Sequence, residues 1–467
     1  RQKLPAVVRA RYDAAQTTAE NARHWAMADA LSADSAASPD VRKKLRERAR
    51  YEVANNSYAR GIVLTLANDC IGTGPRLQLL TEDAELNHRV EMAFADWAHS
   101  VNLAEKLRTM RMAKATDGEA FALLTANPML DSPVMLDVQL VETDRVASPV
   151  MSIWPSETDI DGISLDAWGN PRTYTILRQH PGDLAAWTTQ PDRVDAEAVI
   201  HWFRTERPGQ HRGIPELTPA LPLFAQLRRY TLAVIAAAET AADFAAVLFT
   251  DAPAQGEAQP LEPMDVVELE KRMATVLPDG WRLGQIEAHQ PTTTYDMFKR
   301  EILNEIARCL NLPYNIAACN SSGYNYASGR LDHQTYYKSI RVEQAHLAET
   351  VLDRIFMAWV DEAQLALGFK LPSSAYTLQP TASLAHQWFF DGTEHVDPAK
   401  EANAQATRLA SSTTTLAAEF ARAGKDWEVE LRQRAKELKL MRELGLTTSQ
   451  TAPKDEESNA NGARKAA

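Results

Sequence analysis

The sequence predicts an α+β fold that is mostly helical. Three observations carry this. Apolar residues recur at helical spacing along most of the 467 residues. Only the stretch from Ala120 to Phe203 changes to short apolar and β-branched runs separated by turn clusters. Two long helical patterns, 218–249 and 294–310, enclose a module punctuated by Pro and Gly.

The N-terminal stretch to about Pro39 is rich in Ala, Ser and Asp, with Trp25 its only large anchor. It reads as an extended arm or loosely packed helices. Val41 to Asn55 (VRKKLRERARYEVAN) follows as a helix with a narrow stripe of Leu45, Ala49 and Val53, completing a unit at 1–50 and opening the next. Its basic run reads as a solvated face, with phosphate contact as the alternative. Tyr58 to Cys70 is a further helix, stopped at Gly72-Thr-Gly74-Pro75. That glycine pair lacks the third Gly and the Lys-Ser/Thr of nucleotide loops. Thr81 to His99 places Leu86, Val90, Phe94 and Trp97 on one face, and Leu103 to Ala115 forms another helix. Phe121–Thr125, Met135–Val141, Thr173–Leu177 and Ala198–Phe203 read as strands of a small sheet. Residues 51–217 are thus an α+β unit.

Beyond the loop Arg207–Gly213, Thr218 is placed to cap a helix whose first turn holds Pro219 and Pro222. This helix is alanine-rich and expected to reach Phe249. Residues 250–291 carry an acidic bias (Asp251, Glu257, Glu262, Asp265, Glu268, Glu270) and one short helix, Met264 to Val276. Thr294 to Leu310 puts Phe298, Ile302, Ile306 and Cys309 on one face before Pro313 ends it. Asn320 to Gly329 is a polar loop, and Arg330 to about Leu367 a third long helix with Tyr336, Ile340, Ile355, Phe356 and Trp359. Pro372 and Pro380 bound a connector. A helix starts at Asp397-Pro398, and Lys425 to Leu444 carries a stripe of Trp427, Leu431, Leu438 and Met441. The polar end, 447–467, fits a disordered tail.

Composition narrows the function. With 45% hydrophobic residues, a chain of this length buries sizeable cores in about three domains, at roughly 150 residues each. The net charge of -12 gives no global excess of Lys and Arg for gripping duplex DNA, so any DNA contact is local or avoids adhesion. Cys70, Cys309 and Cys319 form no CxxC pair and read as reduced thiols. The most apolar run, Thr231 to Phe249, contains Glu239 and Asp243, which argues against a membrane span and for a soluble chain.

Catalytic signatures are missing from the sequence. The eleven histidines form no HExxH, and there is no GxSxG elbow. Asp391, Glu394, His395 and Asp397 read as a polar loop capping the next helix rather than a metal site. Asp117 and Glu119 read as a turn before the Phe121 strand. A hydrolase using Cys309 or Glu119 is the competing enzyme reading; the expectation is no enzyme, no metal and no cofactor.

An ordered set of stretches resembles the lambda-type tailed-phage portal protein family: Leu45-Arg-Glu-Arg-Ala-Arg-Tyr-Glu with Asn55–Gly61, Gly72–Pro75, Thr116–Phe121, His201-Trp-Phe-Arg, Arg207–Pro215, Ala307–Pro313, Tyr324-Asn-Tyr-Ala-Ser and Asp397–Glu401. The resemblance runs from about residue 20 to 446. It implies a subunit of a ring, commonly of twelve copies, with wing, stem, clip, tunnel loop and crown. The wing would be 51–217, the stem helices 218–249 and 292–313, and the clip 250–291. The tunnel loop would be 314–330, its supporting helix 331–372, and the crown side 373–446. The implied partners are other copies of the chain, duplex DNA, the terminase large subunit, the major capsid protein and a head–tail connector, in a virion assembled in the bacterial cytoplasm. Asp251, Glu262, Asp265, Glu268 and Glu270 would sit on the clip that docks motor and connector. Asn320, Ser321, Ser322, Gly323, Tyr324, Asn325 and Tyr326 would face the DNA, or else form a plain surface connector. Glu239 and Asp243 would line the channel or bridge neighbouring subunits. A scaffold or connector without a channel is the competing structural reading.

Overall fold

The structure, a computed structural model, describes residues 15, 18–19, 21–148, 159–183, 191–243, 247–250, 281–284, 294–369, 384–392 and 398–446. The first part holds helices α1 (Ala33–Ala36), α2 (Pro39–Asn55), α3 (Ser57–Ile71), α4 (Ala84–Ser100) and α5 (Leu103–Asp117). Their starts have local causes. Pro39 occupies the first turn of α2, where a missing N–H costs nothing. The Asn56 side chain accepts from the Tyr58 and Ala59 N–H groups to cap α3, and Asp83 does the same for α4.

Among the described residues from Glu119 to Phe203 the strands form two sheets where a single small one is expected. β2 (Glu119–Ala126) lies between β3 (Leu136–Val141) and β8 (Val199–Phe203), both antiparallel, with Phe121 opposite Val141 and His201. A second sheet runs β4 (Asp159–Ile160), β5 (Ile163–Leu165), β6 (Pro171–Leu177), β7 (Pro191–Asp195). Apart from β6, its strands are short or polar, so they carry no clear alternation in the sequence. β1 (Arg76–Leu79) pairs with β11 (His386–Phe389), joining segments some three hundred residues apart.

The long helices are α6 (Leu221–Asp243), α7 (Thr294–Cys309), α9 (Tyr326–Leu347) and α10 (Asp353–Leu367), with a short α8 (Tyr314–Ala317) before α9. A π-helical turn at Ala348–Leu352 links α9 to α10 without a break. Two strands flank the clip-candidate segment: β9 (Val247–Thr250) pairs antiparallel with β10 (Trp281–Gly284). At the C-terminal end lie α11 (Pro398–Ala410), α12 (Leu416–Arg422) and α13 (Trp427–Glu443).

Several expectations are corrected. The basic run of α2 is solvated only in part: Lys43, Lys44 and Arg48 are exposed, whereas Arg42 and Arg46 are buried and paired with Asp161 and Asp144, because that side of α2 packs against the rest of the fold. α6 does not reach Phe249: it is described over Leu221–Asp243, and Val247–Phe249 belong to a strand. β-branched and aromatic residues there favour pairing once a partner strand is near. Thr218 does not cap a helix; its hydroxyl donates to the Pro215 carbonyl at 2.6 Å inside a 3-10 turn. The polar loop ends early, because the Asn325 side chain accepts from the Ser328 N–H at 2.9 Å and starts α9 at Tyr326. The Met264–Val276 helix, Asp251, Glu257, Glu262, Asp265, Glu268, Glu270, Glu394, His395, Asp397, the 372–380 connector and the 447–467 tail lie outside the described residues.

Three apolar clusters make the core. The largest sets Phe94 and Trp97 of α4 against Phe356 and Trp359 of α10, with Phe94 edge-on to Phe356 at 5.7 Å and to Trp359 at 5.3 Å. A second joins α3, the start of α6, α7 and α9 through Ile62, Leu66, Phe224, Ile306 and Tyr336. The third fills the space between the two sheets around Phe121, Tyr174 and Ile176.

Trp359 is fully buried in the first cluster. Trp359→Ala is therefore expected to cost about 3–5 kcal/mol, read by chemical denaturation of the subunit. A second expectation concerns the cleft where α4 meets the start of α13, lined by His88, Glu91, Asp426, Glu428 and Arg432. Burial, with Asp426 and Glu428 nearby, pushes the Glu91 carboxyl up from 4.5 to about 7. The fold favours protonated Glu91, so the stabilisation is complete below 4.5 and lost as pH rises to 7. Proteolytic nicking next to α13 should accelerate across that window, and Glu91→Gln should flatten the dependence.

Candidate functional site

Glu119 opens β2 and Arg212 sits in the loop Arg207–Gly213; both are buried. Arg212 Nη2 donates to Glu119 Oε1 at 2.7 Å and its Nε to both carboxylate oxygens at 3.0 Å. The Gly213 N–H and His201 Nε2 also donate to Glu119, at 2.9 and 3.0 Å. His201 is stacked between Phe121 and Phe203, with centroids at 4.2 and 4.4 Å. Gly118 and Gly213 permit this approach: a Cβ on Gly213 would lie 2.2 Å from the Gly118 carbonyl oxygen. Gly118, at φ +92°, faces Ile214, and a Cβ there would lie 2.3 Å from the Ile214 carbonyl carbon. Burial alone would raise the Glu119 pKa, but Arg212 and His201 hold it well below the ordinary value. Burial draws His201 down despite its carboxylate neighbour.

A second charged cluster sits where α6 begins and α9 ends. Arg111 of α5 pairs with Glu216 at 3.0 Å, just before α6, and Lys114 bonds Glu343 of α9 while its ammonium lies 4.7 Å from the Trp202 ring centroid. Burial would raise the Glu216 pKa, yet Arg111 and Lys114 hold it below its usual value. These charges couple sheet, α6 and α9 at one junction. The sequence reading missed both clusters, since pairs such as 119/212 and 114/343 leave no local pattern.

From that junction α6 and α7 run side by side. Leu221, Phe224 and Leu227 are buried against Ile302, Leu303 and Ile306 at the base. Tyr230 then stacks on Tyr295 at 5.7 Å and meets Phe298 edge-on at 4.5 Å. Farther along, Leu232 and Ile235 of α6 and Met297 and Phe298 of α7 stand exposed. Glu239 is exposed on the distal part of α6. Asp243 is the last residue of that helix, and its side chain lies outside the description.

The remaining loop, between α8 and α9, is polar and open. Asn320, Ser321, Ser322, Gly323 and Asn325 are exposed and Tyr324 is half-buried, while the Tyr326 side chain lies outside the description. The Asn320 side chain accepts from the Ser322 N–H at 2.9 Å and its hydroxyl at 2.6 Å, and Gly323 takes φ +82°. The loop is structured by its own neutral groups and displays no charge.

Groups named for possible chemistry are otherwise engaged. Burial pushes the Cys309 thiol up to about 11, and Glu119 is held by Arg212 and His201. Neither is poised as nucleophile or base. Among the described residues, Glu142, Asp144 and His180 bring ligand atoms within 4.8 Å of one another. Arg50 already lies 3.3 Å from Glu142 and 2.7 Å from Asp144, so the anionic side of that cluster is met by a guanidinium. Asp391 instead accepts from the Thr73 N–H and hydroxyl, at 2.6 and 2.8 Å.

The model of the phage portal protein, lambda family, matches residues 19–344. The chain belongs to this family. It is 24% identical to a probable portal protein of Halomonas phage phiHAP-1, over 86% of this chain and 81% of the relative. It is 23% identical to the portal protein of Escherichia phage N15 and 21% to portal protein B of Escherichia phage lambda, each over 89% of this chain and 87% of the relative. Among solved structures it is similar to the neck of an empty GTA particle computed with C6 symmetry (15% identity, TM-score 0.47, 80% of this chain and 92% of that one). It is also similar to the neck of a native GTA particle computed with C12 symmetry (13%, TM-score 0.46, 83% and 94%). The family is a structural one, of phage-particle components at the capsid vertex. Among the described residues no helix is long and apolar enough to cross a membrane.

The buried ion pair gives a test of this architecture. Glu119→Gln leaves the buried Arg212 and Arg42 to share the single carboxylate of Asp161, so unfolding stability at neutral pH should drop by about 3–5 kcal/mol. Because the folded Glu119 pKa is depressed, the native pair's contribution is complete above 4.5 and lost as pH falls through the lower folded value. Denaturation curves at neutral and acid pH should therefore differ less for Glu119→Gln than for the native chain.

Proposed function

We propose that copies of this chain close into a ring whose central channel conducts duplex DNA into and out of the capsid. The observation that carries this is the α6–α7 pair. Its base is built into the core, while among the described residues its distal half exposes Leu232, Ile235, Met297 and Phe298. Such a surface is suited to identical neighbours arranged head to tail, the interface type that closes rings. In this reading α6 and α7 are the stem, and the α+β unit at 51–217 is the wing. The segment between the paired strands β9 and β10 belongs to the clip, which docks the terminase motor and later a head–tail connector. The acidic residues Asp251, Glu262, Asp265, Glu268 and Glu270 are its proposed contacts. The C-terminal helices lie on the crown side, and the wing periphery meets the major capsid protein. The ring is commonly of twelve copies in the resemblance described above.

A conduit has to surround a polyanion without holding it. Each Lys or Arg clamped on phosphate releases counterions and tightens binding, which slows translocation. Glu239, exposed on distal α6, and Asp243, one turn on, favour repulsion and a centred duplex. The neutral loop from Asn320 to Asn325 is the proposed tunnel loop, able to brush the backbone through hydroxyl and amide groups.

Reversing both charges, with Glu239→Lys and Asp243→Lys, tests the reading. Packaging rate in a defined motor assay should fall severalfold, or ring assembly should weaken if the two groups bridge subunits. Unchanged packaging together with unchanged assembly would contradict both roles.

A further inference from the structure

The charged junction at the end of α9 holds more possible pairings than it uses. Arg111 and Lys114 lie one turn apart on α5, and both are buried, as is Glu216. Arg111 Nη2 donates to Glu216 Oε2 at 3.0 Å, and Lys114 donates to Glu343. Two atoms are left over. Arg111 Nε and Glu216 Oε1 are buried and have no hydrogen-bond partner among the described residues. A buried polar atom left unpaired is costly and needs a cause. Here each lies close to the other pair's member. Arg111 Nε is 3.9 Å from Glu343 Oε1, and Glu216 Oε1 is 4.0 Å from the Lys114 ammonium. A shift of about 1 Å brings either contact to hydrogen-bond length. The four side chains thus have a second pairing, Arg111 with Glu343 and Lys114 with Glu216, and it uses both leftover atoms. The Trp202 ring, 4.7 Å from the ammonium, attracts the charge through its face and does not fix which carboxylate Lys114 takes.

The backbone offers the slack that such an exchange needs. Glu343 stands near the end of α9, and the π-helical turn Ala348–Leu352 follows at once. The helix changes core across this stretch. Tyr336 and Ile340 belong to the cluster built on α3, α6 and α7, whereas Leu347, Val351, Ile355, Trp359 and Ala363 belong to the one built on α4. Those last five recur every four residues, and each such step overshoots a full α turn by about 40°. A pure α-helix would carry the stripe about 160° round by Ala363. The π turn, closed by i→i+5 bonds, takes in one residue more and removes about 100° of this. It is the place where the end of α9 can wind or unwind while α10 stays in its core.

We propose that Arg111, Lys114, Glu216 and Glu343 form a two-state ionic switch: the two cations exchange carboxylates, and the π turn absorbs the accompanying shift of α9. Glu216 precedes α6 and Glu343 lies near the end of α9, so the exchange couples the settings of those two helices. A displacement of either helix favours one pairing, and the pairing carries it to the other helix. The switch is a property of the single subunit and does not depend on the ring reading. Its rival is a static junction in which an ordered water meets both leftover atoms.

Amide hydrogen exchange of the full chain, read by mass spectrometry, tests it. In the native chain the amides of 346–352 should exchange at least tenfold faster than those of 355–363, because the π turn reopens whenever the pairs exchange. Equal protection of the two stretches would overturn the proposal and is the result the static junction gives. Lys114→Met combined with Glu343→Met removes one cation and one carboxylate together, so no buried charge is stranded. Arg111 and Glu216 are then a single pair with no alternative. In this double variant exchange at 346–352 should slow about tenfold toward the rate of 355–363, with α5 unchanged. If Lys114 and Glu343 are only a fixed tie, its loss loosens the end of α9. Faster exchange there, or an unchanged rate, would therefore overturn the switch. Should the double variant not fold, the native comparison decides.

Discussion

The architecture depends on the buried pair of Glu119 and Arg212. Moving two charges out of water is expensive, and their attraction repays it only when geometry is good and the remaining lone pairs are met. Here the carboxylate takes bonds from Arg212, His201 and the Gly213 N–H, and Arg212 reaches the Val146 carbonyl at 3.1 Å and Asp161 at 3.1 Å. Arg42 of α2 bonds the same Asp161. One ion pair therefore fixes the end of α5, both sheets, α2 and the loop that leads to α6. Removing Arg212 strands the Glu119 charge in the interior, and removing Glu119 leaves Arg212 and Arg42 to share Asp161.

That loop sets the direction of everything after it. Glu216 stands at its end, held by Arg111 and near Lys114, whose other partner is Glu343 of α9. The start of α6 is thus tied to the sheet and to the long helix at once. Order is dense around this junction and thins outward: distal α6 and α7, the α8–α9 loop and α13 all expose groups that a lone subunit leaves in water. In the proposed ring these outlying groups are the ones that neighbouring copies would cover.

Much of the helical frame was legible, because helices declare themselves over short distances. The α4 stripe of Val90, Phe94 and Trp97 is buried as its spacing predicts, and α7 follows its pattern to within a residue. β1 and β11 were not legible, since each has four residues and its partner lies far away in sequence. Burial of Arg42 and Arg46 in α2 was not legible because their partners, Asp161 and Asp144, are about a hundred residues on, while Arg48 is exposed as expected. Helix propensity carried α6 past Asp243 on paper, whereas strand pairing with Trp281–Gly284 takes Val247–Thr250. Of the candidate site, the polarity of the Asn320–Asn325 loop and the exposure of Glu239 were readable. The ionic junctions that position them were not.

The central claim is that identical subunits surround an open channel with the α6–α7 pairs side by side. An electron-microscopic reconstruction of the purified assembly tests it most directly. The account predicts an annulus in which Leu232, Ile235, Met297 and Phe298 are covered by the adjacent copy and Glu239 faces the channel or the neighbouring subunit. A compact lone subunit, or an annulus with those four apolar residues still facing solvent, would contradict it.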